Sequence, residues 1–253
     1  MADFELLDCS PVEGSGVLVV RLNRPQKLNA FNRTLLREFA QAMRDFEASD
    51  SFVAVVTGTG RAFTAGRDVK EATLGGSALL DADLGPDFNP FWMGKPTNKG
   101  YVRTLEKPVI AAVNGIACGM GLSLALAADI CIASEDATFE LSEVHHGIPS
   151  GWRIGIQNGL SRSAAVELAF GERVSARRAY DMGFVNRVTE PDDLIDTAID
   201  WGKRLARLSR DVVRAQLELV SATWPVVGEE IDARGDVLRG LIRQSELNKE
   251  AQK

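Results

Sequence analysis

The feature that most constrains this chain is the run from Val109 to Ala133, which follows Pro108 and is almost entirely apolar. Its length matches a bilayer-spanning helix, which needs about 20 apolar residues. The run also contains Asn114, Ser123, Asp129 and the glycines Gly115, Gly119 and Gly121. A chain that must hide these groups does better as a buried strand (Val109–Val113), a glycine turn, a helix from about Met120, and a second strand (Ile130–Ala133). No membrane span is therefore expected. Strands buried on both faces and separated by helices belong to α/β architecture.

The same order occurs earlier. Val17–Leu22 is a β-branched strand after a Gly14-Ser15-Gly16 hairpin turn. Asn32 is a natural N-cap, and Leu36, Phe39, Met43 and Phe46 follow at spacings that place them on one helix face. Phe52–Thr57 reads as the next strand, closed by Gly58 and Gly60. From Thr73 to Lys99 periodicity disappears among glycines and prolines, the pattern of a long loop or lid over a site. From Ser161 onward the pattern is helical, with a short extended break at Phe184–Val188. The expected organisation is a core over residues 1–190 and a helical C-terminal region over 191–253.

Charge and cysteine usage exclude several functions. Twenty-nine basic and thirty-five acidic residues give a formal charge of −6, which argues against a broad nucleic-acid surface. The cysteines, Cys9, Cys118 and Cys131, are odd in number and lack ligand spacing. His145 and His146 are adjacent and by themselves make no zinc site, so no metal is expected. The acidic start, Asp3 to Asp8, is unlike a secretory leader, and a reducing, cytoplasmic setting is expected.

Nucleotide and hydrolase motifs fail on inspection. Gly94-Lys95 precedes Pro96, and Asn89 stands where a phosphate-binding loop needs its first glycine. Gly119-Met120-Gly121 lacks the third glycine of a dinucleotide fingerprint. Gly121-Leu122-Ser123-Leu124-Ala125 is a poor nucleophile elbow, with alanine in its last place.

Three segments carry more information together than apart: Arg24-Pro25-Gln26-Lys27-Leu28-Asn29-Ala30, Gly60 through Glu71 (GRAFTAGRDVKE), and Val113 through Gly121 (VNGIACGMG) continuing to Ala128-Asp129-Ile130. With Ala137–Val144 and Met182–Asn186, their order resembles the crotonase (enoyl-CoA hydratase/isomerase) superfamily over about three quarters of the chain. The resemblance implies a spiral of ββα turns with a helical C-terminal trimerisation region, a homotrimer or dimer of trimers, and an acyl-CoA thioester substrate. Coenzyme A would be part of that substrate, and no separate cofactor is implied.

In this family two backbone N–H groups stabilise an enolate-like oxyanion; here they would belong to Arg67 and Met120. Glu143 stands at the family's catalytic glutamate, with Glu140 beside it read as a surface residue. Ser123 stands where hydratases carry a second glutamate, leaving it an accessory hydroxyl or a small packing residue. One glutamate suits an isomerase. Ser123 with Ser142-Glu143 also resembles hydroxycinnamoyl-CoA hydratase-lyases, although the C-terminal helices lack the tyrosine that reads a phenol. Lys27, Leu28, Ala30, Ala65, Asp68 and Val69 would hold the CoA moiety, with Gly119 and Ser142 on the acyl side. His146 falls on the face of Glu143 if that segment is helical and could then tune its acidity or contact substrate, but the expectation is that His145 and His146 are ordinary structural or partly exposed residues. The ending Ser245–Lys253 departs from the family's terminal helix pattern, which leaves completion of a neighbour's CoA site open. The implied reaction is addition or removal of water across the α,β double bond. The alternatives are Δ3–Δ2 isomerisation, hydration with cleavage, and non-catalytic acyl-CoA binding.

Overall fold

The computed structural model describes residues 3–68, 95–97, 100–102, 105–147, 159–223 and 229–250. The Thr73–Lys99 segment therefore lies outside the described residues except for Lys95–Thr97, which pairs with Gly100–Val102 as a short β5–β6 hairpin, and Val69 lies outside them too.

Two sheets organise the rest. The larger has six strands in the order β1-β2-β3-β7-β9-β12: β1 Leu7–Val12, β2 Val17–Leu22, β3 Val53–Gly58, β7 Val109–Val113, β9 Ile130–Ser134 and β12 Arg187–Thr189. The smaller runs β11-β10-β8-β4: β4 Ala62–Thr64, β8 Ile116–Cys118, β10 Thr138–Glu140 and β11 Val174–Ser175. Only the outer pairs β1–β2 and β10–β11 are antiparallel.

The chain visits the sheets in alternation. After β3 it turns into β4, after β7 into β8 and after β9 into β10, so each turn of a spiral lays one strand in each sheet. Repetition of one step in one hand makes the strands within each sheet parallel. Asn114 joins two of these turns: its Oδ1 accepts the Gly58 N–H at 3.0 Å and its Nδ2 donates to the Gly60 carbonyl at 2.8 Å.

Strand alternation divides the core. Leu18, Val20, Ala54, Val56, Ala111 and Val113 face one hydrophobic cluster with helix α1 (Arg33–Ala48) and the smaller sheet. Val17, Val19, Val53, Val55, Ile110, Ala112 and Ile132 face a second, covered by Leu194, Ala198 and Val213 of the C-terminal helices. The N-cap expected at Asn32 is present, its side chain accepting the Leu35 N–H at 2.9 Å, and Leu36, Phe39, Met43 and Phe46 are buried. Helix α2 (Met120–Ala127) begins where the glycine turn predicts. The helices α3 (Arg162–Ala169), α4 (Ala176–Met182), α5 (Leu194–Ala206), α6 (Arg210–Ala222) and α7 (Glu229–Glu250) follow. The break read at Phe184–Val188 leads into β12, which extends the large sheet beside β9. No described helix is long and apolar enough to cross a membrane.

Candidate active site

The site forms where the spiral brings three loops together. The first, Arg24–Phe31, leaves β2 through a short 3₁₀ turn at Pro25–Lys27. Leu28 and Asn29 then take φ of 51° and 54°, a rare left-handed pair outside glycine that marks an imposed loop shape. Asn29 is fully buried and explains how that shape is held. Its Oδ1 accepts the Arg24 N–H at 2.9 Å, and its Nδ2 donates to the carbonyls of Thr59 at 3.0 Å and Ala62 at 2.8 Å.

The second loop, Ala65–Asp68, is laid against the first. The Ala65 N–H donates to the Leu28 carbonyl (2.9 Å), the Phe31 N–H to the Gly66 carbonyl (2.7 Å) and the Asp68 N–H to the Phe31 carbonyl (3.0 Å). Arg24 Nη1 reaches both the Ala30 carbonyl (2.9 Å) and Asp68 Oδ2 (2.8 Å), an ion pair whose side chains are 13% and 14% exposed. Lys27, Leu28, Ala30, Ala65 and Asp68 are thus brought to one place, with the Lys27 side chain exposed and the Asp68 carboxylate held by Arg24. Val69 lies outside the described residues.

The direction of one N–H follows from these bonds. In a planar trans peptide the N–H points opposite to the carbonyl of the same unit. Since the Gly66 carbonyl faces Phe31, the Arg67 N–H faces away from the first loop. The third loop is close: a Cβ on Gly66 (φ +86°) would lie 2.6 Å from the Cys118 carbonyl oxygen and 3.2 Å from Met120 N, so only glycine fits.

The third loop is Cys118–Gly121. The Gly119 N–H donates to the Glu140 carbonyl at 2.8 Å, while the Gly119 carbonyl accepts the Ser123 N–H at 3.1 Å and faces down the helix. By the same planarity the Met120 N–H projects from the N-terminal end of α2, where it has no acceptor within its own helix. Met120 N therefore lies beside Gly66, the residue before Arg67, at the positive end of a helix. Ser123 turns its hydroxyl back to the Gly119 carbonyl at 3.4 Å, a long i−4 bond.

Glu143 sits over this turn. Its Oε1 is 3.1 Å from the point a Cβ on Gly119 would occupy, and its Oε2 is buried with no hydrogen-bond partner among the described residues. Burial pushes the carboxyl above its ordinary range, opposed by its own backbone N–H and by the nearby His146. The alternative reading of His146 rested on helical spacing, and Ser142–His146 is a 3₁₀ helix, in which residues three apart eclipse. Ser142 opens that turn near the Cys118 thiol, whose pKa burial raises, an effect Ser142 partly offsets.

Glu140 is not the surface residue expected. At the end of β10 its side chain is 13% exposed, bonded to Arg173 Nε at 2.6 Å and 3.8 Å from His145 Nε2. Its place in a strand of the second sheet, a three-residue element too short for periodicity to reveal, is what buries it. Sequence reasoning also gave no role to Arg24, Asn29 or Thr64, which shape the site from behind. An Asn soon after Pro25, a residue type that tolerates the left-handed region and hydrogen-bonds nearby backbone, is the signal that was available for Asn29. Among the described residues no group of three or more His, Cys, Asp or Glu is placed to hold a metal ion.

Residues 13–251 match the family model for enoyl-CoA hydratase/isomerase. The chain belongs to that family. Its fold is the crotonase-type α/β spiral, and the relatives are enzymes. A mevalonyl-coenzyme A hydratase from Aspergillus fumigatus is 34% identical over 85% of this chain and 78% of its own length. A probable enoyl-CoA hydratase from Rhizobium meliloti is 36% identical over 83% of each. An Escherichia coli 1,2-epoxyphenylacetyl-CoA isomerase is 34% identical over 76% of this chain and 73% of its own. Among solved structures, a carnitinyl-CoA dehydratase from Mycobacterium avium superposes with a TM-score of 0.78 at 29% identity, covering 95% of this chain and 93% of its own.

Proposed function

We propose that this enzyme adds or removes water across the α,β double bond of an acyl-CoA thioester, as a carbon–oxygen lyase. The observation that carries the reading is the placement of Glu143: a desolvated carboxylate with one oxygen unpaired, against the turn that projects the Met120 N–H. The Arg67 and Met120 N–H groups bind the thioester oxygen and stabilise the enolate-like charge that develops on it; one such donor is worth about 3 kcal/mol. Glu143 takes a proton from the water it orients as that oxygen bonds the β carbon, and the enolate collapses as Glu143 returns the proton to the α carbon; dehydration runs the same steps in reverse. Burial makes the carboxyl a stronger base than a free glutamate, which favours the first of these transfers. Lys27 meets a CoA phosphate, while Leu28, Ala30, Ala65, Asp68 and Val69 frame the nucleotide and pantetheine; Gly119 and Ser142 line the acyl side.

Isomerisation between Δ3 and Δ2 enoyl-CoA is favoured by one specific observation. Ser123 occupies the second-carboxylate position, and its hydroxyl is turned onto Gly119. A single carboxylate suffices to shuttle one proton between two carbons.

The experiment is turnover of 2-enoyl, 3-enoyl and aryl-enoyl-CoA thioesters in ¹⁸O-water, read by mass spectrometry, with Glu143→Gln as control. Labelled product that the variant fails to form supports hydration. A shifted double bond without label replaces it with isomerisation. Tight acyl-CoA binding with no turnover would overturn both in favour of a non-catalytic binding protein.

The assembly we infer is a homotrimer or a dimer of trimers in the cytoplasm, built through the 191–253 region. The exposed apolar side chains of α6 and α7, among them Leu219, Val220, Leu238 and Leu241, support an interface there. Light scattering on the purified protein tests the stoichiometry.

A further inference from the structure

We propose that Thr64 is a positioning residue that fixes the spacing between the two oxyanion-binding N–H groups; this rests on the assignment of those groups to Arg67 and Met120. Thr64 ends β4, is fully buried, and touches both halves of the arrangement. On one side its Oγ1 donates to the Asn29 carbonyl at 2.7 Å and accepts the Gly66 N–H at 3.1 Å. With the Gly66 carbonyl taken by Phe31, both polar groups of Gly66 are held, and the orientation of the next peptide, which carries the Arg67 N–H, follows. On the other side the Thr64 carbonyl and methyl abut Gly121, one residue past Met120. The methyl carbon is 3.0 Å from where a Cβ on that glycine would be, and the Thr64 carbonyl oxygen is closer still. One buried side chain therefore meets Gly66 through its hydroxyl and the start of α2 through its methyl.

The hydroxyl and the methyl have separable duties. Threonine offers one donor and two acceptor sites, and here a carbonyl and an N–H occupy one of each. Valine preserves the shape and the methyl contact but leaves the Asn29 carbonyl and the Gly66 N–H without that bond. Serine preserves the hydroxyl and loses the methyl. An oxyanion site depends on donor placement to within about half an ångström, so a loosened Gly66 weakens transition-state stabilisation more than substrate binding.

The test compares wild type with Thr64→Val, Thr64→Ser and Thr64→Cys. It reads kcat and KM on the thioester selected by the ¹⁸O panel, Tm, and the carbonyl stretch of bound ¹³C-carbonyl acetyl-CoA. We expect Thr64→Val to lower kcat about ten-fold or more, with KM within about two-fold, and to move the carbonyl band toward its position in free acetyl-CoA. Thr64→Ser should keep most of kcat and the wild-type band. Thr64→Cys, similar in size and a weak donor, should fall between them and serves if the valine variant does not fold. A wild-type band and kcat in a folded Thr64→Val or Thr64→Cys would overturn the proposal. So would equal loss of kcat and Tm in Thr64→Ser and Thr64→Val, which would make the role one of packing. If wild type turns over no thioester, the reading of the reaction fails, and the carbonyl band then decides on Thr64 alone.

Discussion

The carboxylate of Glu143 rests directly on Gly119, with Oε1 3.1 Å from the position a β-carbon there would take. Gly119 has φ 54° and ψ −114°, a conformation that side chains disfavour. Substituting Gly119→Ala therefore acts twice: it strains the turn that aims the Met120 N–H, and it pushes the carboxylate off its seat. The expected outcome is a fall in kcat of about 100-fold or more. It is measured beside acyl-CoA binding by calorimetry, which should weaken far less. Unchanged kcat in Gly119→Ala would separate this turn from the chemistry.

Glu143 also predicts a pH signature. Burial raises its pKa in the folded protein above the unfolded value. The folded state then binds the proton more tightly than the unfolded chain, and stability is lost as pH rises through the folded value. Replacing the group with Glu143→Gln should raise Tm at neutral pH. The gain should vanish below the usual glutamate range, about pH 4. A thermal-shift series across pH checks this without substrate. In wild type, kcat/KM should fall on acidification at a midpoint above that range. His146→Ala should move the midpoint higher still, since His146 opposes the shift.

The middle of the large sheet is readable because β2, β3, β7 and β9 are five or six residues long and buried on both faces, so runs such as Val53–Val56 and Val109–Val113 declare themselves. Helix α1 is equally plain, through the Asn32 cap and one apolar face. The smaller sheet is hidden: β4, β8 and β10 have three residues each, and their hydrogen bonds come from other turns of the spiral rather than from local pattern. The site divides in the same way. Glu143, Arg67 and Met120 were reachable because their motifs stand in order along the chain. The supports behind them, Asn29 on the Thr59 and Ala62 carbonyls and Thr64 on the Asn29 carbonyl and against Gly121, are long-range contacts that no spacing encodes.

The Arg24–Asp68 pair joins the two loops assigned to the CoA moiety, and its partly buried setting makes it couple. Arg24→Ala leaves a carboxylate without its guanidinium, and Asp68→Ala leaves Arg24 with the Ala30 carbonyl alone among the acceptors described above. Each single change should cost about 1–3 kcal/mol in urea unfolding, and the double variant less than their sum. Both singles should raise KM for the CoA ester more than they lower kcat, because the pair shapes binding loops and not the reacting atoms. Strict additivity in the double-mutant cycle would show that the pair contributes nothing of its own.

Lys107 supplies the last prediction, one of stability with no catalytic part. It is 2% exposed, and its Nζ donates to the carbonyls of Phe46 (2.8 Å), Ser49 (2.7 Å) and Ser51 (2.9 Å), closing the C-terminal end of α1. Burial lowers its pKa, and Glu47, Asp50, the three carbonyls and the negative end of the helix favour the charged form against it. Lys107→Met keeps an unbranched apolar stem but removes every donor and the ammonium that lies 5.0 Å over the Phe46 ring. The expected loss is about 2–4 kcal/mol, read as a lower urea midpoint with an unchanged slope. Activity per folded molecule should stay at the wild-type level. A variant as stable as wild type would mean that water satisfies those three carbonyls as well as the lysine does.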